Sequence, residues 1–299
     1  MASSTPASSS PSPLAVLTAL LAVYVVWGST YLGIRIALDH GMPPLLVISG
    51  LRFVVAGALM FVVLRLKGVA APTRAQWKTL AVMGALLLGL GNGLVVLAET
   101  TVSSGLAAVA VASMPVWTAV FGMLRGQRAT RAEWLGIVLG FAGVVWLNAG
   151  GTLTGSPTGL LYLLLSPLAW AFGSVWSRGR DLPSPFMAAA AQMLCGGVLL
   201  MAAGLLHGER IDAWPRWQGV LAVAYLAMFG SVIAFTAYVW LLQHVRPALA
   251  ASYAYVNPVI AVALGAWLAQ ERFTANDLAA MTVILAGVVV INLARLRPR

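Results

Sequence analysis

Apolar residues fill long runs in this chain, and polar residues collect in short gaps between them. Ten such runs can be drawn, at about 14–38, 44–66, 75–98, 104–124, 131–149, 156–177, 183–206, 216–242, 247–269 and 275–295. Each comes near the roughly 20 residues a helix needs to cross a bilayer. The gaps carry turn and charge signals, HGMPP, RLKGVAAPTR, RGQRATR, RGRDLPSP and HGERIDAWPR among them. All are too short to hold a soluble domain. Residues 1–13, MASSTPASSSPSP, are uncharged and rich in Ser and Pro, and read as a disordered tail. They lack the charged region of a signal peptide, so the first run is expected to be retained.

Composition sharpens this picture. The chain is 61% hydrophobic and 9% charged, where a soluble domain carries about a quarter charged residues. It reads as an integral membrane protein. The formal charge of +10 would suggest nucleic acid in a soluble chain; here it reads as an orientation signal. Thirteen of the 18 Lys and Arg fall in gaps or at run ends on one side, four (Arg35, Arg210, Arg216, Arg272) on the other, and Arg52 lies well inside a run. Basic loops stay in the cytoplasm, so ten spans put both termini there. The single cysteine, Cys195, excludes an intramolecular disulfide.

The runs repeat. SGLAAVAVASMPVWTAV at 104–120 aligns without a gap with PALAASYAYVNPVIAVA at 247–263, which superposes Pro115 on Pro258. LGFAGVVWLN at 139–148 meets VILAGVVVIN at 283–292, and Trp27 falls near the level of Trp170. Arg52 and Gln192 are separated by the same 140 positions as Trp77 and Trp217. The expected fold is therefore all-α, with ten transmembrane helices in two five-helix repeats, 14–149 and 156–295. A repeat with an odd number of spans inserts its second copy upside down, the plan of many secondary transporters. Pro115 and Pro258 each remove a helical hydrogen bond in mid-span, freeing the carbonyls of Val111 and Ala254. Such groups need a partner or a polar cavity, so both prolines are candidate hinges.

WGSTYLGIRIAL at 27–38, LRFVVAG at 51–57, SSGLAAVAVASMPVWTAV at 103–120, SPLAWAFGSVWSR at 166–178 and SYAYVNPVIAVALGAWLAQE at 252–271 resemble the EamA-type branch of the drug/metabolite transporter superfamily. The resemblance covers nearly the whole chain, through the order and spacing of these segments. It implies a ten-helix, exporter-like carrier in the bacterial inner membrane, acting on amino acids, other small metabolites or amphipathic drugs. The family pattern places an acidic residue after the fourth and ninth helices. Glu271 stands there in the second half, whereas Gln127 and Arg128 replace it in the first.

Helical spacing gathers the candidate binding residues into stripes. Trp27, Tyr31 and Arg35 share one; Ser166, Trp170 and Ser174 share another. Asn92 lines up with Glu99, Phe235 with Tyr238, Tyr253 with Asn257, and Ser113 with Trp117. Polar residues in mid-membrane face the protein interior or water. The expected substrate-binding set is Trp27, Tyr31, Arg52, Asn92, Glu99, Trp117, Trp170, Ser174, Tyr238, Tyr253 and Asn257. Arg52 has three roles open to it: holding a substrate carboxylate, bonding helix-end carbonyls, or snorkelling outward. Glu99 is expected to pair with Arg52 or Arg35, or to be solvated.

No cofactor and no metal site are expected, since the three histidines lie near gaps and form no cluster. There is no P-loop for ATP and no paired-carboxylate, zinc-helix or Ser/His constellation for an enzyme. A channel would show charge rings or a filter-like loop. Carboxylates are absent from the mid-spans. The expectation is a carrier of small amphipathic metabolites, amino acids with aromatic or hydrophobic side chains included. It works by alternating access and is gradient-driven without a proton-coupling carboxylate. The alternative is efflux of quaternary-ammonium drugs by proton antiport. The expected partners are a small-molecule substrate and the lipid bilayer, for a monomer, with no nucleic acid.

Overall fold

The computed structural model describes residues 12–102, 107, 110–127, 129–149, 156–211, 215–269 and 274–294. The expected tail (bar its last two residues), Arg128 and Glu271 lie outside the described residues. The helices are α1 (Pro13–Asp39), α2 (Pro44–Leu66), α3 (Arg74–Glu99), α4 (Ala110–Leu124, interrupted at Ser113), α5 (Arg131–Asn148), α6 (Pro157–Trp176), α7 (Pro185–Leu206), α8 (Trp217–His244), α9 (Pro247–Ala251 and, after a break at Ser252, Tyr253–Ala269) and α10 (Ala275–Ala294).

Among the described residues, α1, α2, α3, α6, α7 and α8 are long and apolar enough to cross a membrane. Shorter apolar stretches run over Ala110–Leu124 and Leu278–Ile291. The outer faces carry exposed Leu59, Leu66, Phe186 and Leu206, a surface that suits lipid and not water.

Local chemistry sets where the helices begin. Thr73 with Gln76 opens α3, and Thr130 with Glu133 opens α5, as reciprocal capping boxes. Ser12 and Ser156 cap α1 and α6, each with proline at the first helical position. The carboxylate of Glu209, across the molecule in sequence, accepts from the backbone N–H groups of Leu45 and Leu46 and so caps α2.

The packing has an internal symmetry. α2 packs along α7, and α5 along α10; α1 packs on α8 and α9, and α6 on α3 and α4. Replacing every helix by the one five places away leaves these pairings unchanged. The two self-paired seams need bare backbone, because apolar helices in lipid associate through close contact. A Cβ on Gly57 would lie 2.9 Å from the carbonyl oxygen of Ala190, and one on Gly197 2.8 Å from the amide of Val54. On the other seam, a Cβ on Gly136 would lie 2.6 Å from the carbonyl oxygen of Gly287.

Among the described residues, three helices contain a π-helical stretch. Pro44–Leu51 in α2, Gly84–Asn92 in α3 and Leu226–Phe235 in α8 adopt π-helical geometry. The last two stand at corresponding places in the two halves. Runs of this kind are rare, and shorter π-bulges mark functional sites.

Candidate functional site

The wide turns of α3 and α8 leave backbone carbonyls open to neighbouring side chains. Ser166 on α6 donates to Gly91 O at 2.7 Å, and the Trp27 indole on α1 donates to Gly230 O at 3.0 Å. Gly91 also lets Trp170 lie on backbone, since a Cβ there would come within 2.5 Å of the indole. The two tryptophans therefore meet at the centre of the molecule. Their rings are 5.5 Å apart and nearly perpendicular. Tyr253 stands edge-on to Trp27 at 4.6 Å, and Tyr238 tilts against Trp170 at 5.6 Å. Edge-to-face contacts of this kind are favoured by the ring quadrupoles.

This aromatic cluster floors a cavity that is partly open to the outside. The cavity rises from Trp27 and Trp170 towards the end of the molecule where α1 gives way to α2. Trp27, Thr30, Tyr31 and Ile34 line it from α1, Arg52 and Phe53 from α2, and Gly91, Asn92 and Val95 from α3. Met114, Ser166, Pro167, Phe235, Tyr253 and Asn257 complete the wall from the other helices.

Its polar groups are few and sharply placed. Arg52 is buried, at 4% exposure, so it does not snorkel. It donates to Asn92 Oδ1 at 3.0 Å and lies 4.2 Å over the Phe53 ring, while its Nε has no partner. A buried guanidinium with donors free and no counter-ion is costly, and it is suited to an anionic ligand group. Asn257 Oδ1 is likewise buried without a partner, and Tyr31 interacts with the same side chain. The cavity thus sets one cation and two amides against an aromatic and aliphatic wall. Among the described residues no group of His, Cys, Asp and Glu could hold a metal ion.

Below the floor, side chains tie α6 to α8. Tyr238 Oη takes the Trp170 indole N–H at 2.8 Å and bonds Ser174 Oγ at 2.8 Å. Further down, Arg178 donates to the carbonyls of Leu242 and Val245 at 3.1 and 2.8 Å. Arg125 donates to Val175 O at 2.6 Å, capping α6. Arg246 reaches buried Glu133 at 2.8 Å.

Seven expected residues line one cavity: Trp27, Tyr31, Arg52, Asn92, Trp170, Tyr253 and Asn257. Ser174 and Tyr238 lie under its floor, and Trp117 packs against the core. Glu99 is a correction. It pairs with neither Arg52 nor Arg35 and is not solvated: it is buried, and its Oε1 has no hydrogen-bond partner. Arg35 instead pairs with Asp39 at 3.2 Å. Pro115 follows a turn at Ser113 that interrupts α4, and Pro258 lies inside a helix. Sequence reasoning passed over Pro167, a proline inside α6 and part of the cavity wall; its place inside an apolar run is the signal. Phe53, Val95 and Met114 carry no such signal, because any apolar run contains their like.

The sequence matches the EamA-like transporter family twice, over residues 13–149 and 157–293. A protein of Escherichia coli K12 named uncharacterized inner membrane transporter YedA is 45% identical over 283 residues, which cover 94% of this chain and 92% of that one. A Bacillus subtilis protein named uncharacterized transporter YvbV is 27% identical over 92% of this chain and 91% of its own. A solved crystal structure at 22% identity superposes with a TM-score of 0.76, covering 95% of this chain and 98% of that one, and shares its fold.

Proposed function

The chain belongs to the EamA-like transporter family, and on that premise we propose that it is an alternating-access carrier of zwitterionic amphipathic metabolites, amino acids with aromatic or hydrophobic side chains foremost. In this reading α1–α10 are ten spans in two inverted repeats, seated in the bacterial inner membrane with both termini in the cytoplasm. The pairing of helices, unchanged when the halves are exchanged, supports it. Arg52 takes the substrate carboxylate, Asn92 holds Arg52 in place, and Asn257 with Tyr31 receives the ammonium end. The side chain rests on Trp27, Trp170 and Tyr253. In this reading Pro115, Pro167 and Pro258 let the helices beside the cavity bend.

The observation that carries the proposal is the buried, incompletely bonded Arg52 in a wall otherwise aromatic and amide. The test is counter-flow in proteoliposomes holding only this protein. Labelled phenylalanine or leucine should enter vesicles preloaded with the same amino acid, saturably and without an imposed pH gradient. Arg52→Gln should cut this more than about tenfold. Equal counter-flow in Arg52→Gln, or none of any amino acid in the unaltered protein, would refute the assignment.

Buried Glu99 favours a second reading, proton antiport with Glu99 as the proton carrier. Flux that requires a pH gradient in the unaltered protein, and loses that requirement in Glu99→Gln, would select it.

A further inference from the structure

Arg178 stands eight positions after Trp170, and Arg35 stands eight positions after Trp27. The tryptophans are counterparts in the two halves, so the arginines are too. Their surroundings in this conformation are opposite. Arg178 is half-buried and ties the end of α6 to the last turn of α8, through the carbonyls of Leu242 and Val245. These are helix-end acceptors with no partner inside their own helix. Arg35 is exposed and holds only its neighbour Asp39, one turn on. Exposed pairs of this spacing bind weakly.

The counterpart of α8 is α3, and α3 ends at Glu99. Glu99 stands in the last turn of α3, as Leu242 stands in the last turn of α8. At the level where α8 offers Arg178 a carbonyl, α3 offers a carboxylate. That carboxylate is 3% exposed, and its Oε1 has no hydrogen-bond partner. Arg35 follows Ile34, which lines the same cavity as Val95, one turn before Glu99. A buried carboxylate oxygen without a donor is costly to keep, unless the chain visits an arrangement that supplies one.

We infer that Arg35 and Arg178 form a reciprocal pair of latches, closed in alternation. Here Arg178 is locked onto α8 and shuts the end below the aromatic floor, while Arg35 is parked on Asp39. In the other arrangement Arg178 lets go, and Arg35 swings from Asp39 to Glu99, shutting the cavity end between α1 and α3. The inference rests on the inverted-repeat carrier reading, but not on the identity of the substrate.

The test follows the two ends by thiol labelling. In the full-length protein with Cys195→Ser, Ser177→Cys reports the end held by Arg178, and Val95→Cys reports the cavity end. A membrane-impermeant maleimide is applied to right-side-out and to inverted vesicles. Arg178→Gln should raise labelling of the first cysteine and lower that of the second, by roughly tenfold, the shift in a two-state balance when one charge-assisted hydrogen bond is lost. Arg35→Gln and Glu99→Gln should each do the reverse, and combining those two should add nothing further. The Arg35→Gln, Arg178→Gln double variant should fall back towards the starting rates.

Unchanged rates in Arg35→Gln, or a shift in the same direction as Arg178→Gln, would overturn the latch. If Arg178→Gln fails to insert, the Arg35 and Glu99 arms decide alone. Labelling of both cysteines from the same side would sink the inverted repeat itself. Reciprocal labelling without amino-acid counter-flow would leave the latch standing and discard the proposed substrate.

Discussion

Trp27 and Trp170 occupy the same place in the two halves and meet edge to face, yet their indoles are used differently. Trp27 bonds a backbone carbonyl, Gly230 O, that the π geometry of α8 leaves open. Trp170 bonds a side chain, Tyr238, which is also held by Ser174. The same split appears one layer out. Arg52 and Gln192, equivalent by position, are both buried, but Arg52 lines the cavity and Gln192 only packs, with neither side-chain polar atom bonded. The halves share a backbone plan and differ in what their side chains do. Packing positions have kept their kind, and the wall of the cavity has diverged.

The strongest test of this division sets a shared packing position against a tolerant one. Gly197→Val should leave no folded protein, because a side chain there meets the backbone of α2 at 2.8 Å; overpacking alone costs about 1–3 kcal/mol, and backbone cannot yield as a side chain can. Gly89→Ala meets only the far end of Leu199, at 3.0 Å, and should be recovered in normal amounts. Yield of monodisperse protein in detergent reads both.

Next comes the diverged pair. Arg52→Gln should cut counter-flow more than about tenfold, the loss of one bidentate charge contact, with insertion intact. Gln192→Met should leave flux alone and raise the melting temperature slightly, since a buried amide without partners gains from an apolar replacement of similar shape. Equal effects on flux would erase the distinction between the halves.

The two indoles should separate by less. Trp27→Phe strands the buried Gly230 carbonyl at a cost of about 1–3 kcal/mol. Trp170→Phe leaves Tyr238 bonded to Ser174, and the lost bond should cost about 0.5–1.5 kcal/mol. Thermal unfolding in one detergent compares them. The smallest effect is expected at the rim, where Arg35 and Asp39 are 60% and 53% exposed. Asp39→Asn should cost about 1 kcal/mol or less, visible in the same melts and sensitive to salt.

Much of this architecture is legible in the residues. Apolar runs declare spanning helices because lipid leaves the backbone no other partner, and the six long spans fall within a few residues of the runs drawn from hydropathy. Trp27, Arg52 and Asn257 could be singled out because polar and aromatic groups in mid-run need a reason. Other features were hidden for physical reasons. The π segments share the composition of ordinary apolar helix, and only tertiary packing makes the wider turn worthwhile. The isolation of Glu99 depends on where Arg35 turns, a choice between neighbours that spacing cannot make. Tyr238 shares a stripe with Phe235, yet only Phe235 reaches the cavity, because small rotations of α8 decide which side of the floor a ring takes.

The glycine seams have one more consequence. α2 with α7, and α5 with α10, are the pairs that exchanging the halves maps onto themselves, so their mutual fit is the same whichever end is shut. In the proposed carrier they are the fulcrum, and α1, α3, α4, α6, α8 and α9 are the lever arms. A binder that grips a loop on one face will choose a side and trap it. One that wedges into the Gly57–Gly197 crossing will favour neither side and will act as a brake, slowing exchange in both directions by the same factor.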